Sequence, residues 1–571
     1  MERRILIAFV LSFLVLYLYQ ALLPQPAPAP EAEPGSTPQT IESQTVTPAT
    51  PPPQAVPAPP APAAETPAAI LADAAERDVT LETNLIEAVF TNRGGVLKAW
   101  RLKNFRDSDG ELHDMIPQGI AEELGRPFRL GVEDPALATR LNTALFSVEQ
   151  RGPGRVQFRF EDASGLRASK TFSLEADSYL LSVDVSATLG GQSLEPAIDW
   201  GPALGPLVEP ESQYTQRSAG IVFVNGDVER IDAGDIARQS RYSGGIEFGG
   251  VDDQYFLSAF IRPGAAELEY RALTVPSPVA GDDPFDLVAY SVRPDPEAGP
   301  ARVFVGPKDF DVLRAIDQNL VRAINFGWLA WLIVPLLTSL KWLNGFIGNY
   351  GWSIIALTIL INALMFPLRH KSVVSMRKMQ ELQPEVKAIQ ERYSKLKATD
   401  PAKQKMNTEM MALYRERGVN PASGCVPMIL MMPVLFAFYR LLSVAVELRG
   451  APFFGWITDL SGPDPLYITP VLMGATMVLQ QRMTPSTMDP LQQKMMMFMP
   501  VVFTFMFLRA PSGLVLYWLV SNLWAIGQQH VTNRIIGPTP VHQVRPPAER
   551  KLKKAGAGKT EAAGKDEAPG R

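Results

Sequence analysis

The residues with the clearest chemical potential are polar side chains inside otherwise apolar segments of the second half of the sequence. Thr358 and Asn362 lie four positions apart, so a helix would place them on one face. A second stripe at helical spacing comprises Tyr517, Ser521, Trp524 and Gln528. Polar side chains inside a bilayer usually face a partner or water rather than lipid. The stripes therefore indicate a hydrogen-bonding recess within a membrane, although simple hydrogen bonds between helices would explain them as well.

The sequence shows no motif for covalent catalysis. It lacks the Gly-x-Ser-x-Gly turn of serine hydrolases, the His-Glu-x-x-His pair of zinc proteases and any Cys–His nucleophile arrangement. Cys425 is the single cysteine, which excludes an internal disulfide, and the four histidines show no ligand spacing. We therefore expect no enzymatic activity, no cofactor and no structural metal.

Length and composition indicate several units in different surroundings. The chain has 571 residues, too many for one compact domain. Hydrophobic residues, 46% of the total, concentrate in 1–23 and 325–530. Residues 24–368 contain 26 Lys and Arg against 44 Asp and Glu, a net charge of −18. Because the whole chain carries −5, all other residues together carry +13, and this asymmetry indicates opposite sides of a membrane.

Six apolar segments are predicted to cross that membrane. The first, in 1–23, is long enough to span and lacks a small-residue cleavage site, so we expect an uncleaved anchor rather than a signal peptide. A Pro/Ala-rich tether follows in 24–69. The other five spans form a helical core within 349–530, and they are predicted at 352–368, 426–446, 467–479, 495–508 and 514–529.

The charges of the connecting loops predict the orientation. A helical hairpin is predicted for 369–418, and its residues 369–417 carry 12 Lys and Arg against 6 Asp and Glu. Basic loops stay in the cytoplasm. If 326–340 also crossed, the hairpin would lie outside, so we place 313–348 as an amphipathic region along the outer interface. With six spans, both termini and the basic tail 531–571 are cytoplasmic.

The region 70–312 has the pattern of β-strands. Residues 155–160 alternate between polar and apolar types, and 181–189 do the same. Asn225-Gly226 is typical of a tight hairpin. The region therefore reads as a large, acidic, extracytoplasmic antiparallel β-sandwich, without a legible ligand site.

Short motifs in a fixed order cover nearly all of 326–530. They are Gly351-Trp-Ser-Ile-Ile, Met365-Phe-Pro-Leu368, Met376-Arg-Lys-Met-Gln-Glu-Leu-Gln-Pro384, Glu409-Met-Met-Ala-Leu-Tyr414, Val419-Asn-Pro421, Val446-Glu-Leu-Arg449, Ala451-Pro-Phe453, Phe498-Met-Pro500 and Pro511-Ser-Gly-Leu-Val-Leu-Tyr517. In these residues the sequence resembles the bacterial YidC family of membrane protein insertases. The resemblance implies a multi-pass α-helical membrane protein of the bacterial inner membrane, with six spans, a core of five and a large periplasmic antiparallel β-sandwich domain.

The resemblance also implies a function. Such a protein inserts inner-membrane proteins and helps them fold, alone or with the Sec translocon, through a hydrophilic groove that is open to the cytoplasm and lipid but closed to the periplasm. The implied partners are nascent inner-membrane proteins, the Sec translocon and membrane lipids, together with the ribosome, which the basic hairpin and tail would contact.

Some site residues are carried over by position. Groove-facing or substrate-facing positions of the family match Thr358, Met432, Leu435, Tyr517 and Trp518. The family usually has a basic residue five positions before the proline of Met365-Phe-Pro-Leu368, whereas this sequence has Asn362.

Arg440 is the main ionisable residue within a span. We expect it to supply the missing charge near the periplasmic end of the groove, while Asn362 keeps the cytoplasmic part hydrated; the alternative is that Arg440 reaches periplasmic water or Glu447. Ile355 and Val515 are expected to face lipid.

Two other classes of protein remain open. A polytopic transporter with an extracytoplasmic sensing domain would need charged coupling residues in several spans and internal repeats, and the sequence has neither. A cell-envelope enzyme with a carbohydrate site in the sandwich would need clustered carboxylates and aromatic residues.

Overall fold

The computed structural model describes residues 67–107, 109–119, 125–202, 204–206, 218–262, 265–276, 284–295, 298–393, 402–419, 426–483 and 490–536. The predicted anchor 1–23, most of the tether 24–69, Cys425 and the tail beyond 536 lie outside the described residues. The architecture below belongs to one unit, Ala68–Met488 with Met496–Arg571. Of the other unit, Met1–Pro67 with Asp489–Met495, the structure describes Pro67 and the helical stretch 490–495.

The N-terminal half of the described chain is a β domain. Its strands are β1 (Ala69–Leu71), β2 (Asp78–Glu82), β3 (Ile86–Thr91), β4 (Val96–Arg106), β5 (Leu112–Asp114), β6 (Arg129–Gly131), β7 (Ser147–Gln150), β8 (Arg155–Asp162), β9 (Leu166–Leu174), β10 (Leu180–Leu189), β11 (Gln192–Ser193), β12 (Ala197–Trp200), β13 (Ala219–Val224), β14 (Asp227–Ile231), β15 (Arg241–Ser243), β16 (Ile246–Asp252), β17 (Phe256–Ile261), β18 (Ala265–Val275), β19 (Phe285–Pro294) and β20 (Ala301–Pro307).

These strands pair antiparallel in three sheets within the described residues. Their orders are β1-β8-β9-β10-β20-β17-β16-β13-β14 with β7 beside β8 and β11 beside β10, then β15-β18-β19-β12-β6, and β2-β3-β4-β5. Buried hydrogen bonds join the sheets. The indole of Trp100 on β4 donates to Val305 O on β20 at 3.0 Å, and the hydroxyl of Tyr270 on β18 donates to Ile221 O on β13 at 2.6 Å. Both smaller sheets therefore pack against the largest one.

The predicted large antiparallel β domain is confirmed. The alternating segments fall on β8 and β10, which pair with opposite edges of β9. The predicted hairpin joins β13 to β14, and Asn225 and Gly226 have φ angles of 52° and 96°. Two successive positive φ angles give the turn the twist that a two-residue hairpin needs.

The remaining elements are helical. They are α1 (Pro135–Thr143), α2 (Phe310–Ile316), α3 (Ala330–Ile347), α4 (Tyr350–Glu381), α5 (Gln383–Arg392), α6 (Ala402–Glu416), α7 (Val426–Val444), α8 (Ile468–Met483), α9 (Pro490–Met506) and α10 (Ser512–Ile536), with short 3-10 turns at Leu320–Ala323, Gly327–Leu329, Val446–Leu448 and Phe507–Arg509. Four of the apolar helices contain an internal proline, namely Pro335, Pro367, Pro433 and Pro500.

Two helices of the described part are long and apolar enough to cross a membrane. They are Gly327–Ile347, which lies within the region predicted to run along the interface, and Tyr350–Glu381. Met432–Val444 and Met495–Arg509 are shorter apolar helices. The count of six spans therefore stays a prediction.

Local signals explain the boundary between α3 and α4. Gly348, with a φ of 72°, ends α3 in the left-handed conformation that glycine tolerates. The side chain of Asn349 then accepts a hydrogen bond from Trp352 N and caps α4. Helix α4 continues to Glu381, and Pro384 lies in the first turn of α5, where its missing N–H costs nothing.

The hairpin formed by α5 and α6 is held by polar contacts. The hydroxyl of Tyr393 donates to Glu409 Oε1 at 2.8 Å, and Arg417 Nη2 lies 2.9 Å from Glu385 Oε1. Residues 394–401, which connect the two helices, lie outside the described residues.

Lys341 connects three parts of the chain. Its ammonium lies 3.1 Å from Asp309 and 2.6 Å from Asp311 at the start of α2, and 3.2 Å from Glu447 after α7. Burial, reinforced by the nearby Asp309 carboxylate, raises the pKa of Glu447. Asp309 and Asp311 directly follow the β domain, so these ion pairs hold α3 close to that domain. This contact favours an interfacial position for α3.

Candidate functional site: a buried polar seam between two helices

The polar stripe of α4 is buried. Thr358 is fully buried, and its hydroxyl donates to Ile354 O within the same helix at 2.6 Å. Asn362 is 1% exposed, and its Nδ2 donates to Thr358 O at 2.8 Å. Its Oδ1 has no hydrogen-bond partner among the described residues. Asn362 therefore retains one free acceptor inside the protein.

The stripe of α10 has the same property. Gln528 Nε2 donates to Phe366 O on α4 at 3.4 Å, while its Oε1 is buried without a partner among the described residues. The indole Nε1 of Trp524 is also buried and unpartnered there. Ser521 Oγ lies close to the Tyr517 hydroxyl without a well-aligned hydrogen bond.

These groups lie along one contact between α4 and α10, which pack against each other. We call Asn362, Ser521, Trp524 and Gln528 the polar seam. Asn362 donates to Thr358 O and Gln528 donates to Phe366 O, eight residues further along α4, so the two amides lie roughly 12 Å apart along the seam. Buried polar atoms in native proteins are almost always hydrogen-bonded. The seam therefore needs water or another molecule to satisfy it.

Arg369 is the cation of this region. It follows Asn362 by seven residues, two helical turns, and thus lies on the same face of α4. Its half-buried side chain makes no hydrogen bond or ion pair with the described residues, yet it lies within electrostatic range of Tyr517. Sequence reasoning missed this residue, although its spacing from Asn362 was a usable signal.

Other predicted residues are distributed more widely. Tyr517 is buried and stacks on Phe438 of α7 with ring centres 4.4 Å apart. Trp518 packs against Phe507 of the short turn after α9, with ring centres 5.1 Å apart. Met432 is exposed, and Leu435 is half buried.

The expectation for the lipid-facing positions is wrong for Val515, which is fully buried, while Ile355 is half buried and packs against the core. The exposed apolar positions on α4 include Leu360 and Leu364, at 60% and 72%.

Arg440 has a different neighbour from the one we expected. Its Nε donates to Asn325 O at 2.7 Å, in the segment between the β domain and α3. Arg230 of the β domain also donates to this segment, at Ala323 O. This contact favours a role for Arg440 where the β domain joins the helices, rather than the groove role predicted above.

Hydrogen bonds and ring packing connect the start of α4 to the loop between α7 and α8. Asn349 Nδ2 donates to Phe453 O at 3.1 Å, and the Phe453 ring covers Gly351. Asp464 accepts hydrogen bonds from Thr469 N and Oγ1, both at 2.7 Å, and so caps α8. Burial opposes ionisation of Asp464, but these hydrogen bonds and one from the Trp456 indole outweigh it and lower the pKa of the carboxyl group.

Comparison with known proteins identifies the family. The family model described as YidC periplasmic domain matches residues 78–339, and the one described as 60Kd inner membrane protein matches 342–538. The membrane protein insertase YidC of Syntrophus aciditrophicus (strain SB) is 36% identical over 559 residues, covering 94% of this chain and 100% of that protein. The chain belongs to the YidC family of membrane protein insertases.

A second YidC relative agrees with this assignment. The membrane protein insertase YidC of Geobacter sulfurreducens is 38% identical over 546 residues, covering 94% of this chain and 99% of that protein. A crystal structure of an active YidC insertase with its first transmembrane domain resolved is 19% identical, covering 81% of this chain and 93% of that chain, with a TM-score of 0.34. YidC proteins are inner-membrane proteins, and the β domain of this chain corresponds to the YidC periplasmic domain.

Proposed function

We propose that this chain passes polar segments of newly made inner-membrane proteins across the membrane through the polar seam and helps those proteins fold, alone or with the Sec translocon. The observation that supports this proposal is the row of buried polar atoms between α4 and α10 that have no partner among the described residues. Moving a hydrophilic segment into a bilayer is costly because water is stripped from its polar groups. A seam that offers hydrogen bonds at that depth lowers this cost.

The topology belongs to the same proposal. We infer six spans, an N-terminal anchor 1–23, a tether 24–69, a periplasmic domain 70–312, an interfacial region 313–348, a core 349–530 and a cytoplasmic tail 531–571. The exposed Trp328, Trp331 and Trp342 support the interfacial region, because tryptophan is enriched at headgroup level. The basic hairpin 369–418 supports cytoplasmic termini.

The proposed partners follow from the same surfaces. Nascent inner-membrane proteins would enter the seam, and lipids would contact the exposed apolar faces of the helices. The hairpin and the tail would contact the ribosome, because their basic residues can bind the phosphate groups of ribosomal RNA. The proposed activity forms and breaks no covalent bond, and it requires no cofactor.

Depletion of this protein tests the function. After depletion, we expect small proteins with one or two spans to remain uninserted, as measured by protease protection of their tails. A plasmid copy of the wild-type gene should restore insertion. Unchanged insertion of these clients after full depletion would contradict the proposal.

A further inference from the structure

The two amides of the polar seam have fixed orientations. The N and O ends of an amide are distinguished by their hydrogen-bond partners. Asn362 Nδ2 donates to Thr358 O, and Gln528 Nε2 donates to Phe366 O; both partners are carbonyl oxygens, which accept only. Hence Asn362 Oδ1 and Gln528 Oε1 are the ends that remain free.

The free atoms of the seam are of both kinds. Asn362 Oδ1 and Gln528 Oε1 accept hydrogen bonds, whereas the Trp524 indole donates one. A carboxylate has no donor, so it would leave both amide oxygens without a partner. An ammonium has no acceptor, so it would leave the indole N–H without one. A peptide group has one N–H donor and one C=O acceptor, so it satisfies both kinds of atom.

We propose that the polar seam binds main-chain peptide groups of the entering chain. This inference rests on the proposed function and names what the seam recognises. Unpaired peptide groups are costly inside a bilayer until they form a helix. The seam would replace the water that hydrates the peptide groups of the client. It would therefore serve clients of any sequence, because every residue except proline supplies the same donor and acceptor.

Replacing single amides of a substrate by esters tests this inference without altering the insertase. An ester lacks the N–H donor, so it costs less to bury than an amide. In liposomes without protein, a synthetic single-span peptide with esters in its polar tail should therefore insert as fast as its amide parent, or faster. With the full-length protein in liposomes of phosphatidylethanolamine and phosphatidylglycerol, we expect the ester peptide to insert about fivefold more slowly.

Variants of the seam provide the second arm. Asn362→Leu with Gln528→Leu should slow insertion of the amide peptide and abolish the difference between amide and ester. Gln529→Leu is the matched control, because Gln529 is adjacent and its Nε2 donates to Asn533. It should behave as the wild type.

The outcomes separate the two proposals. Ester peptides that insert through the wild-type protein at the amide rate or faster would overturn recognition of peptide groups while leaving the insertase function intact. Absence of any protein-dependent insertion of the amide peptide would overturn the proposed function, and the inference with it.

Discussion

The guanidinium of Arg449 lies 4.9 Å from the centre of the Phe256 ring, so a residue shortly after α7 contacts the β domain directly. Its Nη2 also lies 3.3 Å from Asp107 Oδ1, an oxygen that is 2.6 Å from His113 Nδ1. Only 13% of the Arg449 side chain is exposed. Solvent therefore screens these contacts weakly, and one side chain joins the β domain to the helices through both a charged and an aromatic contact.

Replacing Arg449 by leucine should loosen this junction. The change removes the cation from Phe256 and leaves Asp107 with His113 alone, at a cost of about 2 kcal/mol. Hydrogen exchange in 446–453 and in β17 should become faster. Arg262→Leu is the control, because Arg262 also forms an ion pair, with Glu247 on the neighbouring strand, but its side chain is 64% exposed. Equal exchange in the two variants would contradict a special role for Arg449.

Gly351→Ala should destabilise the loop that covers the start of α4. A Cβ at this position would overlap the Phe453 ring, so the ring must move, at a cost of about 1–3 kcal/mol. We expect a lower melting temperature in detergent and partial recovery when Phe453→Ala is added. Gly345→Ala has open space around the new methyl group and should be neutral or stabilising. Similar losses in both alanine variants would refute the packing explanation.

Lys170 should make the stability of the β domain depend on pH. The residue is fully buried, and burial lowers its pKa to about 7, although its Nζ donates to Gly94 O and Phe128 O, each at 2.6 Å. An unfolded chain keeps this proton up to about pH 10. Between pH 7 and 10 the unfolded state therefore binds more protons, and the free energy of unfolding should rise by about 1 kcal/mol per pH unit.

The measurement is denaturant unfolding of the full chain at several pH values. Lys170→Met should remove this part of the pH dependence and lower stability, because the two carbonyl groups lose their donor. If the unfolding free energies of the wild type and of Lys170→Met changed by the same amount across this pH range, Lys170 would be charged in the folded state.

Photocrosslinkers in the polar seam should capture an inserting chain. We expect strong products from positions 362 and 521, which point into the contact between α4 and α10. Leu360 and Leu364, on the exposed side of α4, are the controls and should give weak products. Equal capture from both faces of α4 would indicate that the inserting chain lies near the helix without following the polar seam.

Arg369 should determine how clients with acidic tails are handled. Its half-buried side chain has no ion-pair partner among the described residues, so a client carboxylate would gain a charge-assisted hydrogen bond at Arg369. Arg369→Gln should slow insertion of such clients about tenfold and leave neutral tails unaffected. Lys371→Gln removes the same charge from an exposed neighbour and should have little effect. If Arg440 supplies the charge instead, Arg440→Leu will show the loss and Arg369→Gln will not.

Sequence patterns were sufficient for the features that depend on local chemistry. The hairpin at Asn225 follows from the backbone freedom of two adjacent residues, and the stripe containing Trp524 follows from helical spacing. The closeness of Arg369 to Tyr517 was not predictable, because it depends on how two helices that are distant in sequence pack together. Val515 was misjudged because periodicity cannot tell a helix with one neighbour from a helix covered on several sides, as α10 is by α4, α7 and α8.

The prolines within α3, α4, α7 and α9 have a mechanical consequence. Each removes one backbone hydrogen bond and pushes away the carbonyl group of the preceding turn, so the helix bends there at lower cost than elsewhere. Pro367 in α4 follows Asn362 by five residues, which puts a point of low bending stiffness beside the polar seam. Bending of α4 at Pro367 would therefore widen the proposed path for clients of different size, while the other hydrogen bonds of the helix stay intact.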